Sequence, residues 1–474
     1  MNLQHTENES FPKNRWWIAV TLLAASFMSL IDVTIVNVAL PEIQTNLNAS
    51  NAALEWVVVA YVLCFAIGLV PSGRLGDAYG RKKLFVLGVV GFAISSLICG
   101  LAPNVETLVF GRAMLGFTAA MLSPQVTAIL HVTFPKSEKQ TVFGVFGAIA
   151  SLGAVAGNIL GGLIIDLDFA GLNWRPIFLV NVPISIAILS VVKIVPTDQG
   201  TKNAQADLIS VTLFAAATFG VIFPFIEGRN FGWPLWLISS PIVAILAATM
   251  VVRRQFSRAQ AKRPELIPVV LLKNFKFLQG LLLIVLFFSG LPGMFLILAI
   301  VFQTGAGMSP LQSGLATAPF PIAAMIMSFL APKLFRGKLN LSIAVGAMLL
   351  SAGSFWLQRT MANHTGEIDI LTFSAPLVVA GIGLGTAVTA LFPSILSQVS
   401  HQDAGAGSGV LQTFHQIGAA LSIAFIGQLF FQSLNEAATL AAFQNAAAVA
   451  LHYGVVSFGL IALWQLYVAV ISKN

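Results

Sequence analysis

The chain has 474 residues, of which 57% are hydrophobic and 9% charged, with a formal net charge of +7. Soluble domains carry roughly 25% charged residues, so this composition excludes a water-soluble globular protein and points to a chain solvated by lipid. The basic excess does not read as nucleic-acid binding, because Lys and Arg are dispersed among short segments between apolar runs.

A helix needs ~20 mainly apolar residues to cross a bilayer. Fourteen runs qualify. Six lie near 17–40, 54–72, 84–102, 106–130, 141–165 and 176–195. Two follow near 206–226 and 234–252. Six more lie near 277–302, 310–332, 340–358, 370–393, 406–431 and 446–470. The first run exceeds a signal-peptide core of ~7–15 residues and reads as an uncleaved span. The expected fold is an all-α integral membrane protein with fourteen spans arranged as 6 + 2 + 6. Residues 1–200 form one six-helix bundle and 276–474 another. Residues 201–275 form an inserted hairpin with its linker.

Charge placement tests this count. With the spans alternating, 21 of the 25 Lys and Arg fall on the side of the N-terminus, three fall opposite, and Arg112 lies inside a span. Basic residues concentrate in cytoplasmic loops, so both termini are expected in the cytoplasm. Two six-span halves suit a transporter whose substrate binds at the midplane between them.

Span 1 carries Asp32 in Leu30-Ile-Asp-Val-Thr-Ile-Val-Asn-Val-Ala-Leu-Pro41. A carboxylate there costs ~2.5–3.5 kcal/mol on insertion scales. Arg112 of span 4 is the expected partner. At 1.5 Å per residue, Asp32 lies roughly 13 Å and Arg112 roughly 9 Å from the outer end. Such a pair either fixes helix packing or couples transport to protons. Burial raises a carboxyl pKa and a nearby Arg lowers it, and opening to one side changes both effects. Glu55, Asp166, Asp168 and Glu227 fall near outer ends and read as interfacial. The free thiols Cys64 and Cys99 read as small buried groups, with no metal cluster or disulfide framework implied.

Between spans 2 and 3 stands Gly73-Arg-Leu-Gly-Asp-Ala-Tyr-Gly-Arg-Lys-Lys83, read as an eleven-residue cytoplasmic loop. Gly73 and Gly80 suit tight turns. Asp77 suits a helix N-terminus such as that near Gly405–Gly409. Arg81 suits an inner-surface carboxylate. Arg81, Lys82 and Lys83 equally suit a plain topology anchor. Span 5 places Gly153, Gly157 and Gly161 every four residues. That stripe permits close helix approach, either as static packing or as a sliding surface between halves. Phe27, Asn37, Tyr61, Phe65, Phe295 and Phe392 are cavity candidates, with packing roles open for each aromatic. His415 in span 13 suits either packing or a proton relay. No phosphate-binding Lys loop or paired metal ligands support ATP-driven transport or membrane proteolysis, and an enzyme is not expected.

With these residues in place, the chain resembles the fourteen-span drug:proton antiporters of the major facilitator superfamily. The loop pattern is matched by Gly73, Leu75, Asp77, Gly80, Arg81 and Lys82. The span 1 pattern is matched from Asp32 to Pro41, and the span 4 pattern by Arg112 and Gly116. The stretch Asn173-Trp-Arg-Pro-Ile-Phe-Leu-Val-Asn-Val-Pro183 is similar to the family's opening of span 6. The resemblance implies export of amphipathic or cationic organic compounds in exchange for protons across a plasma (bacterial inner) membrane. It implies no cofactor beyond the proton gradient, and a monomer. It assigns Asp32 and Arg112 to coupling and the charged loop to a cytoplasmic latch, and His415 stands beside them as a proton-coupling candidate on its own chemistry. Two departures stand out. Asn158 replaces a proline in the span 5 antiporter motif Gly157-Asn-Ile-Leu-Gly-Gly162, and His415 stands where the family often has Arg. A transporter of one metabolite, or a non-transporting receptor of the same fold, remains open on sequence alone.

Overall fold

The computed structural model describes residues 12–198, 207–336, 338–365, 367–399, 404–434 and 439–471. These residues are helical and contain no strand. The first half runs α1 (Arg15–Leu47), α2 (Asn51–Tyr79), α3 (Arg81–Gly100), α4 (Val105–Thr133), α5 (Lys136–Asp166), α6 (Pro176–Leu179) and α7 (Asn181–Val191). Then come α8 (Leu208–Phe231), α9 (Leu235–Ile238), α10 (Ser240–Gln260) and the short α11 (Val269–Lys273). The second half runs α12 (Phe275–Phe288), α13 (Pro292–Ile300), α14 (Pro310–Thr317), α15 (Pro319–Phe335), α16 (Leu339–Asn363), α17 (Ser374–Leu396), α18 (Ala404–Ser433) and α19 (Leu440–Ile471).

Local chemistry sets the boundaries. Ser50, Asn104 and Asn274 accept from the backbone N–H three residues on, satisfying donors that a helix start leaves unpaired. Ser309 and Gln312 form a reciprocal capping box at α14. Thirteen helical stretches among the described residues are long and apolar enough to cross a membrane. They include α8, α9–α10 and the joined pairs α12–α13 and α14–α15. The helix α5 spans 31 residues, with its apolar stretch described from Ala156 to Asp166.

The charged segment after α2 is not an eleven-residue loop. Helix α2 continues through it to Tyr79, α3 starts at Arg81, and Gly80 alone joins them. Once outside lipid, nothing in Gly73–Tyr79 breaks a helix, so the helix ends only where Gly80 adopts φ +100°, a region open to glycine. Gly73 therefore makes no turn; it sits inside α2 facing Pro124 of α4.

Call the face on which α1 begins the near face. On it, Arg15 of α1 makes a two-pronged contact with Glu138 of α5, at 2.7 and 2.8 Å. The hydrogen bond from Arg15 holds the Glu138 carboxyl below its usual range. At the far face the halves touch. The ideal Cβ of Gly162 would lie 2.5 Å from the Leu311 backbone, and that of Gly314 2.5 Å from the Asn158 carbonyl. Asp166 accepts from Ser309 Oγ (2.7 Å) and Leu311 N (3.4 Å), and Gln303 Nε2 donates to Val38 O (2.9 Å). The other seam pairs α2 with α18.

Helix α8 covers that second seam. Trp56 of α2 stacks on Phe219 of α8 and donates to Glu227 at 2.9 Å. Phe225 of α8 meets Phe425 of α18 with centroids 4.8 Å apart. The linker after α10 is tied in by Gln255, which is fully buried, donates to Ser210 (2.8 Å) and accepts from Leu266 N (2.7 Å). Asp207 accepts from both prongs of Arg254 and from Ser210, with Arg258 at 3.3 Å. Burial alone would raise the Asp207 pKa, but these donors outweigh it and hold the carboxyl at about 2.

Candidate functional site

The first half encloses a charge pair. Asp32 of α1 and Arg112 of α4 are both 0% exposed. Arg112 Nη1 donates to Asp32 Oδ2, and its Nε donates to the Val57 carbonyl of α2 at 2.9 Å. Asn181, at the start of α7, donates from Nδ2 to Asp32 Oδ1 and to Ser96 Oγ of α3, each at 3.2 Å. The guanidinium lies over Tyr61, 4.5 Å from the ring centroid, and 5.7 Å from that of Phe178. Six helices thus supply one site.

Packing makes room for it. Gly116, one turn from Arg112, faces the Tyr61 backbone so closely that a Cβ would lie 2.1 Å from the carbonyl oxygen. The R-x-x-x-G spacing therefore seats the guanidinium against α2. Removing two charges from water costs several kcal/mol per ion, offset only where the pair is close and further hydrogen bonds are made. Asn181 and the Val57 carbonyl supply those bonds. Arg112 Nη2 still has no hydrogen-bond partner among the described residues.

The other expected residues sort by position. Tyr61 does not line a cavity. It is 1% exposed, stacks on Phe65 and donates to the Ser29 carbonyl at 3.3 Å, because the cation above it fills that space. Phe27 and Asn37 are half-buried on α1, with Phe27 against Gly153. Phe295 meets Phe320 edge-on. Phe392 of α17 and His415 of α18 belong to the other half, where His415 lies 3.8 Å from the Phe288 centroid and 6.0 Å from that of Phe392. Glu55, near the far-face start of α2, is 1% exposed and wedged between α2 and α18 against Gly427.

The span 5 glycines divide by face. Gly153, Gly157 and Gly161 pack on Leu30, Thr34 and Ile35 of α1, inside the first half. Gly162 and Asn158 carry the contact between halves. At the near face, Arg81 N donates to Asp198 Oδ1 at 2.8 Å, and Lys82 Nζ donates to the carbonyls of Val195 (2.6 Å) and Lys193 (3.2 Å). These bonds tie the start of α3 to the chain leaving α7, within one half. The Asp77 side chain lies outside the described residues, as do those of residues 400–406.

Sequence reasoning quoted Asn181 without giving it a role, although an amide inside an apolar span signals a buried partner. Gln125 was missed altogether. It is buried in α4, donates to the Ser72 carbonyl at 2.9 Å, and rests where Gly76 lacks a side chain.

Comparison with known proteins gives a consistent result. A family model described as Major Facilitator Superfamily matches residues 22–423. A probable actinorhodin transporter of Streptomyces coelicolor is 33% identical over 431 residues, covering 90% of this chain and 75% of that protein. The tetracenomycin C resistance and export protein of Streptomyces glaucescens is 29% identical, covering 91% and 79%. The multidrug resistance protein Stp of Mycobacterium tuberculosis is 29% identical, covering 86% and 75%. Among solved structures, a bacterial homologue of the human drug peptide transporters PepT1 and PepT2 superposes with TM-score 0.69 at 13% identity, covering 97% of this chain and 99% of that one. The chain is a membrane transporter, not an enzyme, and it belongs to the Major Facilitator Superfamily.

Proposed function

We propose that the protein is a fourteen-span antiporter that exports amphipathic organic compounds, cations among them, in exchange for protons. The observation that carries this reading is the Asp32–Arg112–Asn181 site, a carboxylate sealed inside one half and held by a cation and an amide. Structural stability alone does not call for such a group, because well-packed apolar side chains serve as well or better. A carboxyl whose surroundings change as the halves rock takes a proton on one side and yields it on the other. Relatives named for antibiotic resistance and export favour outward transport of organic molecules. The proton gradient supplies the energy, without a bound cofactor. On this reading α5 is the fourteenth span, the near face is cytoplasmic, and the protein works as a monomer in a plasma membrane. The far-face contacts between α5 and α14 then close the outer side in this structure, and Gly80, Arg81 and Lys82 brace the first half from within.

The test is transport in proteoliposomes under an imposed pH gradient. Wild-type protein should accumulate an amphipathic dye against its concentration gradient. Asp32→Asn should lose that accumulation yet still exchange labelled for unlabelled dye. Undiminished gradient-driven accumulation by Asp32→Asn would overturn the assignment.

A further inference from the structure

His415 sits deep in the second half with an environment that packing does not explain. Its Nδ1 is buried and has no hydrogen-bond partner among the described residues. Phe288 of α12 lies 3.8 Å from it, tilted by 51°, and Phe392 of α17 stands edge-on at 6.0 Å. A buried polar atom left unpaired is costly, and native structures rarely keep one without a use. Among the described residues no carboxylate pairs with its Nδ1. The described parts of α17 and α18 contain no Asp, Glu, Lys or Arg, and α12 contains only Lys276, twelve residues before Phe288.

The orientation of α18 is fixed by its neighbours. Gly409, Thr413 and Gly427 face α2, while Gly418 and Ser422 face α12 and α13. Val410 and Phe414 lie toward Phe214 of α8. At 100° per residue, the remaining arc carries Gln412, Gln416 and the edge of His415. All three are half-buried. That arc lies between the face turned to α2 and the face turned to α12 and α13. Farther along it, Ala419 and Ile423 are buried.

We infer that Phe288, Phe392 and His415, with Gln412 and Gln416 beside them, form a subsite for uncharged aromatic compounds bearing hydroxyl groups. The phenylalanines offer ring faces and edges for stacking. The imidazole and the amides offer donors and acceptors along one helix stripe. The described parts of α12, α17 and α18 offer no carboxylate to pair with a permanent cation. This inference rests on the transport reading above for the role of the subsite, and names the substrate class it selects.

The experiment measures equilibrium binding to purified protein, so it does not depend on transport. The probes are naphthol, naphthalene and tetraphenylphosphonium. Wild-type protein should bind naphthol about tenfold or more tightly than naphthalene, the scale of one hydrogen bond to a buried group. His415→Phe, which keeps the aromatic packing, should abolish that preference and leave tetraphenylphosphonium binding unchanged. His415→Gln should restore part of the preference. Absence of the preference in wild type, or its persistence in His415→Phe, overturns the subsite. An equal loss of all three ligands in His415→Phe also overturns it, in favour of a packing role. If the preference behaves as expected but wild-type protein moves no dye under a pH gradient, the antiporter reading fails and the subsite stands.

Discussion

At the residue scale, Asp32 and Arg112 depend on each other. Removing one partner of a buried pair typically costs 3–5 kcal/mol, because the remaining charge stays buried without compensation. Arg112→Leu should therefore lower thermal stability in detergent sharply, and Asp32→Asn less, since its amide still pairs with neighbouring groups. The double variant Asp32→Asn/Arg112→Leu should regain most of the stability while remaining unable to drive accumulation. If the double variant is no more stable than Arg112→Leu alone, the stabilising contacts lie elsewhere. The pairing was legible in the sequence because helix rise converts position into depth. Asn181 was not, because its role depends on α7 passing beside α1 and α3 together, and no spacing along one chain segment encodes that.

At the element scale, the two faces of α5 separate folding from motion. A methyl at Gly157 would lie 1.8 Å from Thr34 Oγ1 and 3.1 Å from the Ile31 carbonyl. Gly157→Ala should destabilise the first half by about 1–3 kcal/mol, the usual cost of overpacking, read as a lower unfolding temperature. A methyl at Gly162 meets the α14 backbone across the seam instead. Gly162→Ala should fold normally but fail to close the far face. Spin labels on the far ends of α5 and α14 should then report a longer distance, with transport reduced about tenfold or more. Equal far-face distances in wild type and variant would remove α5 from the gate. The period-four glycines were visible in the sequence. Which side they face was not, because both sides of α5 are rich in small residues. The charged segment misled in another way. Glycine and charge suggested a loop, yet only Gly80 takes a conformation a helix cannot.

Helices α8 and α10 and the segment after them act at the same level. Asp207 holds Arg254 and Arg258, and Gln255 holds Leu266, so the linker is bound to the hairpin on the near face. The folded Asp207 value of about 2 lies below the ordinary 3.8. Its contribution, about 2 kcal/mol, is complete above about pH 4 and is lost as pH falls through about 2. Asp207→Asn should mimic that loss at neutral pH. Trypsin should then cut more quickly after Lys262. Unchanged cleavage would show that the linker is held by its apolar residues alone.

At the scale of the whole molecule, two halves meet along two unlike seams. One is a close backbone contact between α5 and α14. The other, between α2 and α18, is overlain by α8 and carries the buried Glu55. Fold class followed from composition and basic-residue asymmetry, because lipid leaves few architectures open to a chain this apolar. The arrangement of the halves required the contacts themselves. The central claim is that Asp32 exchanges a proton for substrate. Proton release on adding substrate to purified protein in weakly buffered detergent tests it most directly. Wild-type protein should release protons in proportion to the substrate bound, and Asp32→Asn should bind substrate and release none. Release of equal size from Asp32→Asn would contradict the claim.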